Sequence, residues 1–399
     1  MKSLKSMPRL RFTNPEKSKI VILHLYGHSL KALVLKDLPS VTLELYPASI
    51  HITPTLIVRT LFRLRLIQWS MIIKKSDLKS VFRQVYAQYV LACIDQTEAK
   101  VVLTAIDNSR FFQNLTRIDH ARTYFAIQNG TRTLACAQDS LSFLRSSLQS
   151  ISMTNFFCFG RRDIDLFTRH GHKIDTYFPV GSLVGGYYKS QVSVPAASRR
   201  FDLCLVSQWH EHFFDKITGD TYAACEARRV RFGIEELNSF LLRLLAETNL
   251  VVVICTRTQH TMSHTSEVSF YKNTFGEKVE IAEIGADDFS SYRAIEQSRL
   301  AIALNSTMLA EVFSWGQKVL WCNVPNDDHF EMPEAGISYF HGDDYGAFKE
   351  RVLTLLRMPQ KDYEMLTREA ARYINNYDTE SLPHENIRSV ILKSMGAIT

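Results

Sequence analysis

The sequence predicts an α/β fold of two doubly wound halves, and three observations predict it. Short apolar runs recur along the chain, each ending in a polar or glycine turn. Amphipathic helical patterns separate them. A small, polar, proline-containing stretch at 191–200 (QVSVPAASRR) divides them into two sets. Strands that alternate with helices make parallel sheets, because right-handed crossovers return the chain to the same edge. Such sheets collect their ligands at the carboxyl ends of the strands. Two Rossmann-like halves of this kind face one another across a cleft.

The elements follow in order. Residues 19–25 (KIVILHL) form a buried strand and 41–46 an alternating one. Residues 55–69 are apolar and basic at helical spacing, and 78–94 form an amphipathic helix. The strand at 99–105 runs into Ile106-Asp107-Asn108, and the strand at 123–128 into Gln128-Asn129-Gly130. The strand at 155–160 ends in Phe159-Gly160, and 173–180 leads to Gly181-Ser182. Past the break, 201–207 (FDLCLVS) is a strand ending in Gln208-Trp209-His210. A helix at 234–247 precedes the strand 250–256 (LVVVICT), which ends in Arg257. A helix at 269–275, a strand at 279–284 and a helix at 290–297 lead to 298–323. That last segment reads strand, polar turn (Asn305-Ser306-Thr307), helix, Gly316 stop, strand. Helices at 344–356, 359–374 and 383–394 close the chain.

A chain of 399 residues exceeds one ordinary core, so two domains are expected, 1–190 and 200–375, with a helical tail at 376–399. Hydrophobic content of 46% and charged content of 22% fit a globular protein. No uncharged apolar run reaches membrane-spanning length, and the basic N-terminus lacks the apolar segment of a signal peptide. A cytoplasmic location is expected. The seven cysteines are scattered without a CxxC pair and read as free thiols in a reducing compartment. The net charge of +6 is concentrated early, including Arg59, Arg63, Arg65, Lys74 and Lys75. That surface either is simply solvated or meets an anionic partner.

The motifs of several enzyme classes are missing. There is no G-x-G-x-x-G, no GxxxxGK[ST], no G-x-S-x-G and no HExxH. Seven segments instead carry a resemblance in register. They are IDN at 106–108, IQNGTR at 127–132, CFGRRD at 158–163, PVGS at 179–182, LCLVSQW at 203–209, SYRAIEQS at 291–298 and NSTMLAEVFSWGQKVL at 305–320. Together they resemble the bacterial surface-carbohydrate (O-antigen) biosynthesis proteins, glycosyltransferases of the two-domain GT-B fold. The likeness spans about 19–375. It implies an N-terminal acceptor domain, a C-terminal nucleotide-sugar domain and a sugar-transfer reaction needing neither metal nor cofactor. It leaves substrate identity open. Arg161 and Arg162 precede Asp163, where the family has its acidic residue, and this basic pair puts a catalytic role for Asp163 in question.

Each expected site residue has a plainer alternative. Asp107 and Asn108 either bind the acceptor, with Asp107 as general base, or close an Asx turn. Gln128, Asn129 and Arg132 either hold a donor or acceptor sugar, Arg132 gripping a carboxylate or phosphate, or shape a turn. His210 is a candidate acid or base, and its i,i+2 spacing to His212 without a third ligand argues against metal. Arg257 at a strand end suits a departing phosphate. Asn305, Ser306 and Thr307 precede a helix, where backbone N–H groups favour phosphate, or are only an N-cap. Glu311 takes ribose hydroxyls or faces solvent.

The expected reaction moves a sugar from a nucleotide-sugar donor to a surface-polysaccharide or lipopolysaccharide acceptor. A CMP-activated acidic sugar would give Arg132 a task, and UDP- or GDP-hexoses stay open. The expected partners are the donor, a glycan or lipid-linked glycan acceptor and, through residues 59–75, the inner-membrane surface, but not nucleic acid. The alternatives are a sugar-nucleotide epimerase of the same fold and a non-catalytic scaffold in glycan assembly.

Overall fold

The computed structural model describes residues 8–23, 30–45, 48–65, 78–132, 151–191, 199–214, 222–259, 261–285 and 289–396. Two six-stranded sheets, each wholly parallel, carry the fold. The first contains β2 (Ile20–Leu23), β3 (Ser40–Leu43), β5 (Val101–Thr104), β6 (Thr123–Ile127), β7 (Ser152–Cys158) and β8 (Lys173–Pro179). Its order is β3-β2-β5-β6-β7-β8. The second contains β9 (Phe201–Val206), β10 (Val252–Cys255), β11 (Val279–Ile281), β12 (Ser298–Ala303), β13 (Val319–Asn323) and β14 (Tyr339–His341). Its order is β11-β10-β9-β12-β13-β14. A separate pair, β1 (Arg9–Arg11) and β4 (Ser49–His51), lies beside the first sheet's elements. The central strands read IVIL, VVLT and VVIC and are buried throughout, because helices cover both faces.

The helices are α1 (Pro54–Arg65), α2 (Leu78–Thr97), α3 (Arg110–Ile118), α4 (Arg161–Arg169), α5 (Leu183–Gln191), α6 (Glu211–Phe214), α7 (Tyr222–Glu247), α8 (His264–Phe275), α9 (Ser290–Glu296), α10 (Thr307–Phe313), α11 (Tyr345–Arg357), α12 (Gln360–Ile374) and α13 (Pro383–Gly396). Several depart from expectation. Helix α7 begins twelve residues before the predicted 234, because Arg228, Arg229 and Arg231 hide its apolar stripe. Helices α3, α4 and α5 were not expected, being nine residues each and too short for a clear period. The expected helix at 55–69 is described as Pro54–Arg65, and 66–69 lie outside the described residues, as do Lys74, Lys75, 192–198 of the expected linker and Cys136.

The chain does not end in the half it builds second. After α12 it crosses back, and the amide of Asn376 donates to the carbonyl of Phe159 at 2.8 Å. Asn375 Oδ1 accepts from the Ser182 amide at 2.9 Å. Gly160 is required here, since a Cβ would lie 2.3 Å from the Tyr373 carbonyl oxygen. Helix α13 then buries Ile387 and Ile391 among Ile20, Ile22, Val101 and Leu103 of the first sheet. The tail is therefore core for the first sheet. Replacing both isoleucines by alanine is expected to cost about 2–5 kcal/mol per site, with no loss of residues from the second sheet. Urea denaturation followed by hydrogen exchange of the first sheet checks this, and unchanged protection there would contradict it.

Candidate functional site

The carboxyl ends of β9, β10 and β12 open onto a cavity of about 520 Å³, large enough for a nucleotide-sized ligand. Ser207, Gln208, Thr256, Arg257, Asn305, Ser306, Thr307 and Glu311 line it from the second half, and Asn129 and Val184 from the first. It therefore lies between the two sheets, at the edge where parallel strands deliver their turns.

Its floor is organised by a residue that no motif marked. Glu267 of α8 is fully buried. Its carboxylate accepts from the amides of Arg257 at 2.9 Å and Thr258 at 2.8 Å, and from the hydroxyls of Ser207 and Thr258. Tyr271 adds its hydroxyl to Ser207 at 2.8 Å. Four donors on one carboxylate fix the turns after β9 and β10 together, and so fix where Arg257 leaves the backbone. The sequence around Glu267, a polar HTSEVSF, held no signal of this. The next turn is braced likewise. The Gln208 side-chain amide donates to the carbonyl of Asn305 and its oxygen accepts from the Asn305 amide at 2.7 Å.

Ser306 stands as the N-cap of α10 without a side-chain bond to the helix. Its hydroxyl is half-buried at the cavity wall. Thr307 was expected beside it as a phosphate ligand, but its Oγ1 accepts from the amide of Thr131 in the first half at 3.0 Å. Gly130 packs against the same oxygen, 3.0 Å from where a Cβ would sit. Thr307 is thus a tether between the halves. Glu311 neither faces solvent nor stands free for a ribose. It is buried, with its carboxylate accepting from Ser182 Oγ of the first half and from Tyr292 Oη at 2.6 Å. Burial without a neighbouring cation raises its pKa to about 7, against the pull of the two donors. Gly185 lets α5 approach, a Cβ there falling 3.1 Å from the Glu311 Cβ.

The first half's expected residues divide. Asp107 is fully buried, with Arg132 Nη2 2.6 Å from each of its oxygens and the Asn129 amide 3.3 Å away. Its carboxylate is spent on shaping the turn, so the expected general base is held away from the cleft, and the guanidinium expected to grip a substrate carboxylate is engaged by Asp107. Gln128 is buried too. It accepts from the Phe159 amide at 2.9 Å and donates to Gly130 and Asp163, a brace and not a sugar ligand. Asn108 and Asn129 are exposed, and only Asn129 reaches the cavity. Desolvation by burial raises the pKa of Asp163, which is fully enclosed.

His210 follows Gln208 on the turn after β9 and is half-buried. Partial burial and the charge of Arg257 lower its pKa, so the imidazole is neutral at neutral pH. Its Nδ1 lies 2.5 Å from Nδ1 of His212. No group of three His, Cys, Asp or Glu side chains among the described residues is arranged to hold a metal ion.

Residues 125–383 match the profile of a family described as "putative O-antigen biosynthesis protein". No curated protein sequence matches the chain. Among solved structures, MnaA from S. aureus in complex with UDP superposes with a TM-score of 0.53 at 12% identity, over 98% of this chain and 97% of that one. The UDP-GlcNAc 2-epimerase from Methanocaldococcus jannaschii, in complex with UDP-GlcNAc and UDP, gives 0.51 at 10% identity, over 94% and 99%. The UDP-GlcNAc 2-epimerase from Neisseria meningitidis bound to UDP-GlcNAc gives 0.50 at 11% identity, over 95% and 99%. At these identities the likeness is one of fold, the GT-B arrangement of two Rossmann-like domains.

Two outcomes are expected of the site's carboxylates. The folded pKa of Glu311, about 7, lies above the ordinary 4.5. Its contribution to stability is therefore full at low pH, lost as pH rises from about 4.5 to about 7, and level above that. Glu311→Gln should be more stable than the parent at about pH 8, by something on the order of 3 kcal/mol, and gain little at about pH 4.5. Urea titrations at both pH values decide it. Glu267→Ala strands buried donors and should cost about 2–4 kcal/mol, read as a fall in melting temperature.

Proposed function

The chain belongs to the O-antigen biosynthesis family, and on that premise we propose that it is a glycosyltransferase moving a sugar from a nucleotide-sugar donor to a surface-polysaccharide or lipopolysaccharide acceptor. The observation that carries this reading is the interdomain cavity itself. It offers a guanidinium (Arg257) and a hydroxyl (Ser306) at the strand ends of the second half, on turns that Ser207, Gln208 and Asn305 brace, with Asn129 opposite. Arg257 and Ser306 stabilise charge on the departing phosphate, and a preorganised donor set of this kind is the largest catalytic contribution expected. Asn305 and Thr307 shape the turn that presents Ser306. His210, two residues beyond Gln208 on the same turn and outside the cavity lining, is the titratable side chain proposed to take the proton from the acceptor hydroxyl, and activity is then expected to fall as pH drops through its lowered pKa.

The donor is proposed to be a uridine diphosphate sugar. The UDP and UDP-GlcNAc bound in the similar structures support it. The CMP-activated acidic sugar loses its argument, because Arg132 already holds Asp107. The acceptor side is the first half, and the reaction is proposed on the cytoplasmic face of the inner membrane. A second reading, a sugar-nucleotide epimerase, is favoured by the two epimerases of matching length and fold. It needs the donor alone.

Thermal shift of the purified protein against UDP, GDP and CMP tests the site. A ligand at about 100 times its dissociation constant stabilises by about 2.7 kcal/mol, and UDP is expected to do so. Arg257→Ala with Ser306→Ala should abolish the shift and leave the unliganded melting temperature within a degree or two. A flat response to all three nucleotides would sink the site. Release of UDP from UDP-GlcNAc only when a glycan acceptor is added marks the transferase, whereas acceptor-independent inversion at C2 marks the epimerase.

A further inference from the structure

Helix α1 is largely apolar on its outward side. Its sequence, PTLIVRTLFRLR, contains no acidic residue. At 100° per residue, Ile57, Leu61, Val58 and Phe62 fall on one side of the helix within about 140°. They are 50%, 59%, 65% and 64% exposed in that order. The opposite side does the packing. Leu56 is buried, and Arg63 is clamped to Asp95 of α2 by bonds of 2.6 and 2.8 Å. Arg59 flanks the apolar side, about 60° beyond Phe62, and Arg65 falls within the same arc at the helix's last residue; both are exposed, without an acidic partner among the described residues.

The patch continues beyond the helix. The amide of Ile52 donates to the carbonyl of Arg11 at 2.8 Å, so β1 lies beside the start of α1. That places Leu10 and Phe12, 51% and 73% exposed, at the same corner. Exposed apolar side chains gathered on one helix side in this way mark a contact site. Its charge selects the partner. A second copy docking on this face would bring arginine against arginine with no acid to answer it. A bilayer with anionic headgroups offers the opposite sign around an apolar interior, which suits a helix with an apolar side edged by arginines.

We infer that α1, with Leu10 and Phe12, docks the protein on an anionic phospholipid surface. The helix lies in the headgroup plane with Ile57, Val58, Leu61 and Phe62 inserted and Arg59 and Arg65 on lipid phosphates. The face is joined to the cleft. Helix α2, packed on α1, carries exposed Arg83, whose charge reaches Arg110 at the start of α3, and α3 follows the Asp107 turn at the strand ends. A docked membrane thus meets the acceptor edge of the cavity through a basic rim. This last step rests on the transferase reading, whereas the docking itself does not.

The test is flotation of the full chain with vesicles of phosphatidylcholine alone and of phosphatidylcholine mixed with phosphatidylglycerol. The parent is expected to float only with the mixed vesicles and to be released by salt. Leu61→Ser with Phe62→Ser should abolish flotation. Arg59→Glu and Arg65→Glu should each weaken it about five-fold or more. All four positions are on the surface or its border, and an unchanged melting temperature and UDP shift confirm an intact fold and separate this result from the fate of the nucleotide site. A parent that stays in the supernatant at low salt overturns the inference. So does a double variant that floats like the parent, and so does a parent dimer that the double variant splits, which would make a second copy the occupant.

Discussion

A buried carboxyl with no cation beside it joins the two halves of this protein. Glu311 belongs to the second half, yet one of its two donors, Ser182, belongs to the first. A polar group withdrawn from water costs stability unless it is hydrogen-bonded, and here half of that compensation exists only while the halves are in contact. Around it sit Thr131 on Thr307 and Arg162 on Glu334, 3.3 Å apart, both spanning the same seam. Tyr188 stacks on Tyr292 at 4.8 Å across it. The cavity has a roof because these contacts hold Asn129 and Val184 over the second half's strand ends.

A common device builds both walls. Asp107 on one side and Glu267 on the other are fully buried acids whose oxygens collect donors from turns that are distant in sequence. Each thereby satisfies amides that a strand leaves unpaired at its end. The side chains presented to the cavity are not the acids themselves but Asn129 and Arg257, whose backbone amides these acids hold, together with Ser306.

Legibility in the sequence follows from how local each cause is. Strands buried on both faces announce themselves as apolar runs, and β9, β10, β12 and β13 of the second sheet could be read that way. Strand-end polar residues were equally visible, which is why Arg257, Asn305 and Ser306 could be named. Their partners could not. Asp107 and Arg132 are separated by 25 positions and Ser182 and Glu311 by 129, and no periodicity links such pairs. Glu311 reads as an ordinary helix residue until the glycine at 185 brings another helix against it. The nine-residue helices were lost because two and a half turns of α-helix give too few repeats for a stripe to stand out.

The crossing of the chain after α12 has a consequence for the order in which the protein is made. Domains emerging from the ribosome fold from the N-terminus onward. The first sheet cannot complete its core that way, because Ile387 and Ile391 belong to it and are synthesised after every strand of both sheets. Until then Ile20, Ile22 and Leu103 lack their last cover. The half made first is finished last, after the half made second has all its strands.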